Sequence, residues 1–141
     1  MSTQHVITPH EMEQRLRQAG LRPTRQRMSL GEILFNHGDR HVSAEQLHAE
    51  AVRAGVEVSL ATIYNTLNQF TEAGLLREVA VEGHKSYFDT NTSNHYHYYL
   101  EDEGRLMDID SDDLSVGGLP TPPEGMRISR IDIIVRLEKD D

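Results

Sequence analysis

The stretch SLATIYNTLNQF, residues 59–70, decides the fold. Ile63, Leu67 and Phe70 recur at the spacing i, i+4, i+7, which predicts a helix with one buried face. The outward positions carry hydroxyls, amides and one phenol instead of the Glu and Lys usual on an exposed face. Amides pair with adenine edges and hydroxyls reach bases or phosphates, so the stretch is predicted to be a DNA recognition helix. The alternative is a helix that merely lacks charge.

An arginine-rich segment precedes this helix in the chain. Residues 14–31 contain five arginines and no acid, although the whole chain of 141 residues has a net charge of −9. Residues 91–141 alone carry −7, so the negative charge is concentrated away from this segment. Charge alone is equally compatible with a solvated helix face, but beside a recognition helix a phosphate-contacting patch is favoured. The candidate DNA contacts are Arg22, Thr24, Arg25, Arg27, Ser59, Thr62, Tyr64, Asn65 and Asn68.

Three further helices are predicted upstream, each with a capping residue. Thr8 opens the first, which ends at Gly20; Thr24 opens the second, which stops near residues 37–38. Ser43 opens the third, which ends before Gly55. The short link between the third and fourth helices suits a helix-turn-helix unit.

A hairpin is predicted after the recognition helix. Residues 76–81 and 86–89 read as strands, with a turn at 82–85. A hairpin directly after a helix-turn-helix is a wing, so residues 1–90 are predicted to form a winged-helix DNA-binding domain.

The remainder, residues 91–141, is predicted to be a small α/β domain. Strands are expected at 95–100, 106–109 and 128–137, with a short helix or loop at 110–119 and an extended linker at 120–123. The strand at 128–137 has one apolar face, and a domain this small is insecure alone, so dimerisation through its sheet is expected. The fold class is therefore α+β: an N-terminal winged helix-turn-helix and a small C-terminal α/β dimerisation domain.

A candidate metal site combines three histidines and two aspartates. His95 and His97 alternate along a predicted strand, so both imidazoles share one face. An HxH pair alone is more often two surface histidines. His41, Asp89 and Asp108 fall at junctions of the two domains, however, and the full set suits Mn²⁺, Fe²⁺ or Zn²⁺. We expect one interdomain site per protomer, which would fix the angle between two DNA-binding heads.

Several classes of site and location are disfavoured by the composition. The chain has no cysteine, which excludes disulfides, thiolate zinc sites and cysteine nucleophiles. No apolar run reaches the length of a membrane span, and residues 1–13 lack the features of a signal peptide. A cytoplasmic protein without membrane partners is expected.

The segments GLRPTRQR (20–27), HVSAE (41–45) and SLATIY (59–64) resemble the ferric uptake regulator superfamily. Residues 60–70, 87–91 and 95–101 resemble its iron response regulator (Irr) group from α-proteobacteria. The resemblance implies a homodimeric or higher-order transcription regulator of iron-linked promoters, with haem as the signal of iron status. It also implies that the superfamily's metal site falls on His41, Asp89, His95, His97 and Asp108.

This sequence departs from the superfamily pattern in three respects. The structural zinc site made of paired CxxC motifs is absent, and Asn94 and Tyr96 stand where a second regulatory site has ligands. The cysteine-containing haem motif of some Irr proteins is also missing. Haem, as the expected regulatory ligand, would therefore have to use a histidine, with His95 and His97 as the candidates, and at these positions it would compete with metal.

Three alternatives remain open. The same three-His, two-Asp set is the pattern of the superfamily's peroxide sensors, which use Fe²⁺. A metalloenzyme is disfavoured, because a full ligand set leaves little open coordination and no general base is evident. A purely structural metal in a dimer is the third alternative. We expect a regulator and not an enzyme.

Overall fold

The structure, a computed structural model, describes residues 6–36, 38–82 and 85–140, with only the backbone of Glu82 included. The chain divides into two compact units after Thr92. The sequence placed this boundary two residues earlier. The turn expected in the wing lies partly, at residues 83 and 84, outside the described residues, as does residue 37 near the expected end of the second helix.

The first unit contains four helices, each begun by a hydroxyl side chain. They are α1 Pro9–Gln18, α2 Arg25–Phe35, α3 Ala44–Arg53 and α4 Leu60–Glu72. The capping residues are Thr8, Thr24, Ser43 and Ser59, and each accepts the N–H of the residue three positions later. Each cap satisfies one backbone donor that the helix itself leaves unpaired. All four helices were predicted from these local signals.

The core of this unit is formed by the inward faces of the helices. Leu30, Leu47, Ile63 and Leu67 are fully buried. Helices α1 and α2 approach closely at Gly31, where a Cβ atom would lie 2.7 Å from the Met12 side chain. The first two helices are therefore tightly packed at this point.

A three-stranded antiparallel sheet completes the first unit. Its strands are β1 His41–Val42, β2 Arg77–Glu82 and β3 Lys85–Asp89, in the order β1-β3-β2. The hairpin of β2 and β3 is the predicted wing. Strand β1 was not predicted: its two residues give no periodicity, and it forms only because β3 pairs with it.

The second unit contains three strands and, among its described residues 93–140, no helix. The strands are β4 Tyr96–Leu100, β5 Arg105–Ile109 and β6 Ile134–Leu137, in the order β5-β4-β6. Strand β5 is antiparallel to β4, and β6 is parallel to it. The α+β fold class is confirmed, with its described helices all in the first unit. Residues 110–119, for which the sequence left a short helix or a loop open, form a loop.

The last strand is shorter than expected. Residues 128–133 are irregular, and only residues 134–137 form a strand. The reason is the length of its partner: Ile134 already pairs with His97, the second residue of β4, so earlier residues have almost no strand opposite them. The longest described helix, α4, has 13 residues, and no described helix meets the length and hydropathy needed to cross a bilayer.

Candidate nucleic-acid interface and metal ligands

The outward face of α4 is polar, as the sequence predicted. Tyr64, Asn65 and Asn68 are exposed, whereas Ile63 and Phe70 are fully buried. An Asn side chain offers both a donor and an acceptor, which suits the paired acceptor and donor of an adenine edge. The helix thus presents two amides and a phenol to solvent.

The two hydroxyls at the start of α4 cap the helix. Ser59 Oγ accepts the Thr62 N–H at 3.1 Å and donates to Thr62 Oγ1 at 3.0 Å. Both residues were predicted DNA contacts. The structure gives them a role in holding the first turn of α4, whose amide groups are themselves a favourable site for a phosphate.

The phenol of Tyr64 is held by an acid from the preceding helix. Its Oη donates to Glu45 Oε1 at 2.8 Å. This hydrogen bond, with lesser contributions from burial and from the charge of Glu45, raises the pKa of Tyr64 above its ordinary value of 10.0. Glu45 was not among the predicted site residues. Its position at the start of α3, which a helix-turn-helix brings near the recognition helix, was the available signal.

The arginine-rich segment is not a uniform basic patch. Arg22 and Arg25 are exposed at the start of α2. Arg27 instead donates to the Arg22 carbonyl at 2.9 Å and to Gln69 Oε1 at 3.1 Å, so it connects α2 to α4. Thr24, another predicted contact, accepts the Arg27 N–H as the cap of α2.

The other two arginines of this segment also have partners within the unit. The Arg15 guanidinium lies 4.8 Å from the centre of the Phe35 ring. Arg17 pairs with Glu13 at 3.1 Å, one helical turn away. Arg15 and Arg17 are exposed as well, but each contacts a neighbouring side chain, whereas no ion pair of Arg22 or Arg25 is found among the residues that the structure describes.

In the first unit, β1 and β3 bring two predicted metal ligands together. His41 lies opposite Asp89 in the strand register, and His41 Nε2 is 3.2 Å from Asp89 Oδ2. Asp89 is only 1% exposed, and its Oδ1 accepts the Asn91 N–H at 2.9 Å. Carboxylates that bind metal ions are commonly oriented by a hydrogen bond from a group that does not itself touch the metal, as Asn91 orients Asp89 here.

In the second unit, β4 and β5 bring together the other three. His97 lies opposite Asp108, and the Nε2 atoms of His95 and His97 are 3.3 and 3.5 Å from Asp108 Oδ1. The His95 Nδ1 atom is 2.7 Å from the Ser93 carbonyl. A carbonyl oxygen can only accept, so this contact assigns the ring proton to Nδ1. In the neutral ring Nε2 then carries a lone pair, which faces the Asp108 carboxylate. A metal ion between these atoms would bind the Nε2 lone pair and the carboxylate together.

Both groups of ligands have separations that a metal ion would produce. Nitrogen and oxygen ligands about 2.1 Å from a tetrahedral ion lie roughly 3.4 Å from one another. The measured separations between imidazole and carboxylate atoms, 3.2 to 3.5 Å, fall around this value. Imidazole and carboxylate donors suit Mn²⁺, Fe²⁺ and Zn²⁺. Each group therefore fits part of a metal site.

The sequence profile of the Ferric uptake regulator family (FUR) matches residues 18–135. The chain belongs to this family. The ferric uptake regulation protein of Shigella flexneri is 37% identical over 100 residues, which cover 70% of this chain and 68% of that protein. That of Vibrio cholerae is also 37% identical over 100 residues, or 70% of this chain and 67% of its own length.

Solved structures of family members share the fold. The Pseudomonas aeruginosa ferric uptake regulator, solved with manganese, has a TM-score of 0.72 and 25% identity over 92% of this chain and 98% of its own. The V. cholerae regulator has a TM-score of 0.72 and 28% identity over 90% of this chain and 98% of its own. Its crystal structure reveals a structural rearrangement of the DNA-binding domains. The family resemblance read from the sequence is confirmed. These relatives bear the ferric uptake name and not that of the iron response group.

Proposed function

We propose that this protein is a metal-responsive transcription regulator that binds operator DNA as a homodimer, in the cytoplasm and without catalytic activity. The observation that carries the proposal is the exposed polar face of α4, with Tyr64, Asn65 and Asn68, in the same unit as the exposed Arg22 and Arg25. Base-reading side chains next to phosphate-binding side chains are the division of labour that DNA-binding modules use. Family membership supports it.

The net charge of −9 makes the placement of the arginines important. An acidic protein gains little affinity for DNA from its overall field, so binding must come from local contacts. Arg22 and Arg25 supply these at the start of α2, and α4 supplies the base contacts. Such a protein binds weakly to random DNA, which favours discrimination of an operator.

We propose that the two groups of metal ligands serve one ion per protomer. His41 and Asp89 offer two donors, and His95, His97 and Asp108 offer three. Neither set alone supplies the four ligands that Zn²⁺ usually takes or the six of an octahedral Mn²⁺ or Fe²⁺ ion, whereas the five together exceed the first number and leave one position for water in the second. A metal bound by both units would restrict their relative motion and so change DNA affinity. The manganese in the Pseudomonas relative is consistent with this chemistry.

The homodimer rests on the size of the second unit. Three strands of four or five residues bury too little surface to be stable without a partner. Leu137 on β6 is 39% exposed and Ile128 is 45% exposed. A second copy covering these side chains would remove apolar surface from water. Association beyond the dimer is compatible with the same argument.

Within this function we propose control by haem, as in the iron response group that the sequence resembles. The chain has no cysteine, so haem iron would have to use an imidazole, and His95 and His97 are the candidates. Their Nε2 atoms both lie near Asp108 Oδ1, so haem bound at either imidazole would occupy a position that the proposed metal also needs. Haem and metal would then compete. The alternative is peroxide sensing, in which Fe²⁺ at the same ligands drives oxidation of a ligating histidine.

One experiment tests the proposal as a whole. Fluorescence anisotropy is measured for two duplexes, a promoter duplex that contains the operator and a random duplex. Each is titrated with the apo, Mn²⁺-, Fe²⁺- and haem-loaded protein. A metal regulator binds the operator more tightly than a random duplex and does so only with metal. Equal affinity in all four states would contradict metal control, and equal affinity for both duplexes would contradict the regulator itself. A gain of oxygen on a histidine peptide after peroxide, with iron but not manganese, would favour peroxide sensing over haem.

A further inference from the structure

Glu45 is an acid on the surface that the proposed function directs at DNA. It lies in the first turn of α3, is exposed, and accepts the hydroxyl proton of Tyr64 at 2.8 Å. A carboxylate facing phosphates weakens binding to every sequence. A carboxylate that weakens binding to all DNA sequences is useful only if it increases the preference for the operator over other sequences.

The hydrogen bond restricts what the phenol can offer to a base. A hydroxyl has one proton and two lone pairs, and here the proton points to a carboxylate in a charge-assisted bond. The oxygen that remains is an acceptor only. In the major groove an acceptor is complementary to the exocyclic amino groups of adenine and cytosine and not to the acceptor atoms of guanine and thymine.

We propose that Glu45 is a specificity-determining residue: by holding the hydroxyl proton of Tyr64, it makes this side chain a reader of adenine N6 or cytosine N4. The inference rests on the proposed function, since it requires α4 to lie in a major groove. Glu45 and Tyr64 line one cleft with Asn68 and Lys85, all within the first unit. The pair is therefore preorganised before DNA arrives, and no ordering cost arises when the contact forms.

A double-mutant cycle tests this inference on the full-length, manganese-loaded protein. Wild type, Glu45→Ala, Tyr64→Phe and the double variant each select bound sequences from duplexes with a random window. The base position at which Tyr64→Phe alters the preference is the one that the hydroxyl contacts. We expect Glu45→Ala to weaken that preference by about three- to tenfold, the worth of one hydrogen bond, and to have no effect on it in the Tyr64→Phe background.

Atom-replaced bases identify the donor directly. At the position so defined, purine in place of adenine, or 2-pyrimidinone in place of cytosine, removes only the amino group. Wild type should lose the same three- to tenfold on these duplexes, whereas Tyr64→Phe should lose less than twofold, because it has no hydroxyl oxygen to accept the amino proton.

The control is Glu57→Ala, which removes an exposed acid just before α4 and has no hydrogen bond to a side chain of the recognition face among the described contacts. It should raise affinity for all duplexes without changing the preference. Three results would overturn the inference. In the first, Glu57→Ala changes the base preference, and in the second, Glu45→Ala changes it equally in the wild-type and Tyr64→Phe backgrounds. In the third, Tyr64→Phe leaves the base preference unchanged at every position of the duplex. A wild type that selects no sequence would overturn the proposed function itself. Circular dichroism confirms that each variant is folded.

Discussion

Arg27 joins the arginine-rich segment to the recognition helix through Gln69. Its guanidinium donates to Gln69 Oε1 at 3.1 Å and, from the other terminal nitrogen, to the Arg22 carbonyl at 2.9 Å. The two donors of one planar group thus fix the entry of α2 against α4. Arginines that are close together in the sequence therefore have different roles: Arg27 positions α4, and Arg22 and Arg25 remain at the surface.

This difference predicts two kinds of arginine variant. Arg25→Ala should weaken binding to operator and random DNA alike and reduce the salt slope by about 0.9, the value for one phosphate contact. Its thermal unfolding should not change. Arg27→Ala should instead lower the unfolding free energy by about 1 kcal/mol, because the Gln69 amide and the Arg22 carbonyl lose their donor.

Binding titrations at several salt concentrations and thermal melts separate these outcomes. Gln69→Ala is the matched control, because it removes one partner of Arg27 without removing a positive charge. If Arg27→Ala changes only the salt slope and Gln69→Ala changes nothing, Arg27 is a phosphate contact and not a brace.

The amides on α4 give a prediction about discrimination. Asn65→Ala should reduce the preference for operator over random DNA by about 1 to 3 kcal/mol if its amide makes a paired contact with an adenine. Binding to random DNA should stay within a factor of two. Competition titrations with random duplex measure both quantities, and Thr71→Ala, on the last turn of the same helix, is the control. Equal losses on both DNAs would mean that Asn65 does not read a base.

The helices were predictable from the sequence because their signals are local. Each of the four begins at a Ser or Thr whose side chain accepts a backbone N–H three residues later, so a short window contains the whole cause. Strand β1 was not predicted, and the length of β6 was overestimated, because neither is determined by local signals. A two-residue strand has no pattern, and the extent of β6 depends on β4, over 30 residues away in the chain.

The candidate site was predictable in residue type but not in arrangement. The pattern of His and Asp residues indicated a metal, and strand register explains why His41 meets Asp89 and His97 meets Asp108. The composition of α4 likewise indicated a DNA-binding face. The roles of Glu45 and Arg27 depend on hydrogen bonds that cross 19 and 42 residues of chain, and no sequence window contains them.

Leu137 gives a test of the proposed dimer. It lies on β6 and is 39% exposed in the single chain, so a charge there disturbs little packing within the protomer itself. Leu137→Glu should shift the protein toward monomer, because the carboxylate would have to be buried at the interface. Sedimentation velocity measures the shift, with Met126→Glu as a control at another exposed apolar position. A dimer unaffected by Leu137→Glu would place the interface elsewhere.

The metal proposal predicts that ligands from both units matter to one ion. Removing one ligand should cost at least about 100-fold in Mn²⁺ affinity, more than loss of an outer hydrogen bond, because the remaining ligands must recruit water. This should hold for Asp89→Ala and for His97→Ala alike. Calorimetric titration gives the stoichiometry: one ion per protomer in wild type supports a shared site, whereas two independent ions, each lost in only one of the variants, would show separate sites.

The last prediction concerns haem. If haem iron takes an imidazole of the HxH pair, the variant with both His95 and His97 changed to Ala should lose the shift of the Soret band. Because this variant also lacks two proposed metal ligands, its release of DNA by haem is measured at a Mn²⁺ concentration high enough to restore operator binding, where it should resist release. Asp108→Ala should bind Mn²⁺ more weakly yet still bind haem, because a carboxylate is a poor haem ligand here and its loss only frees the imidazoles. In wild type, added Mn²⁺ should raise the haem concentration needed to release DNA. Release at the same haem concentration in the double variant would mean that another histidine senses haem: His5, His10, His37, His48 or His84.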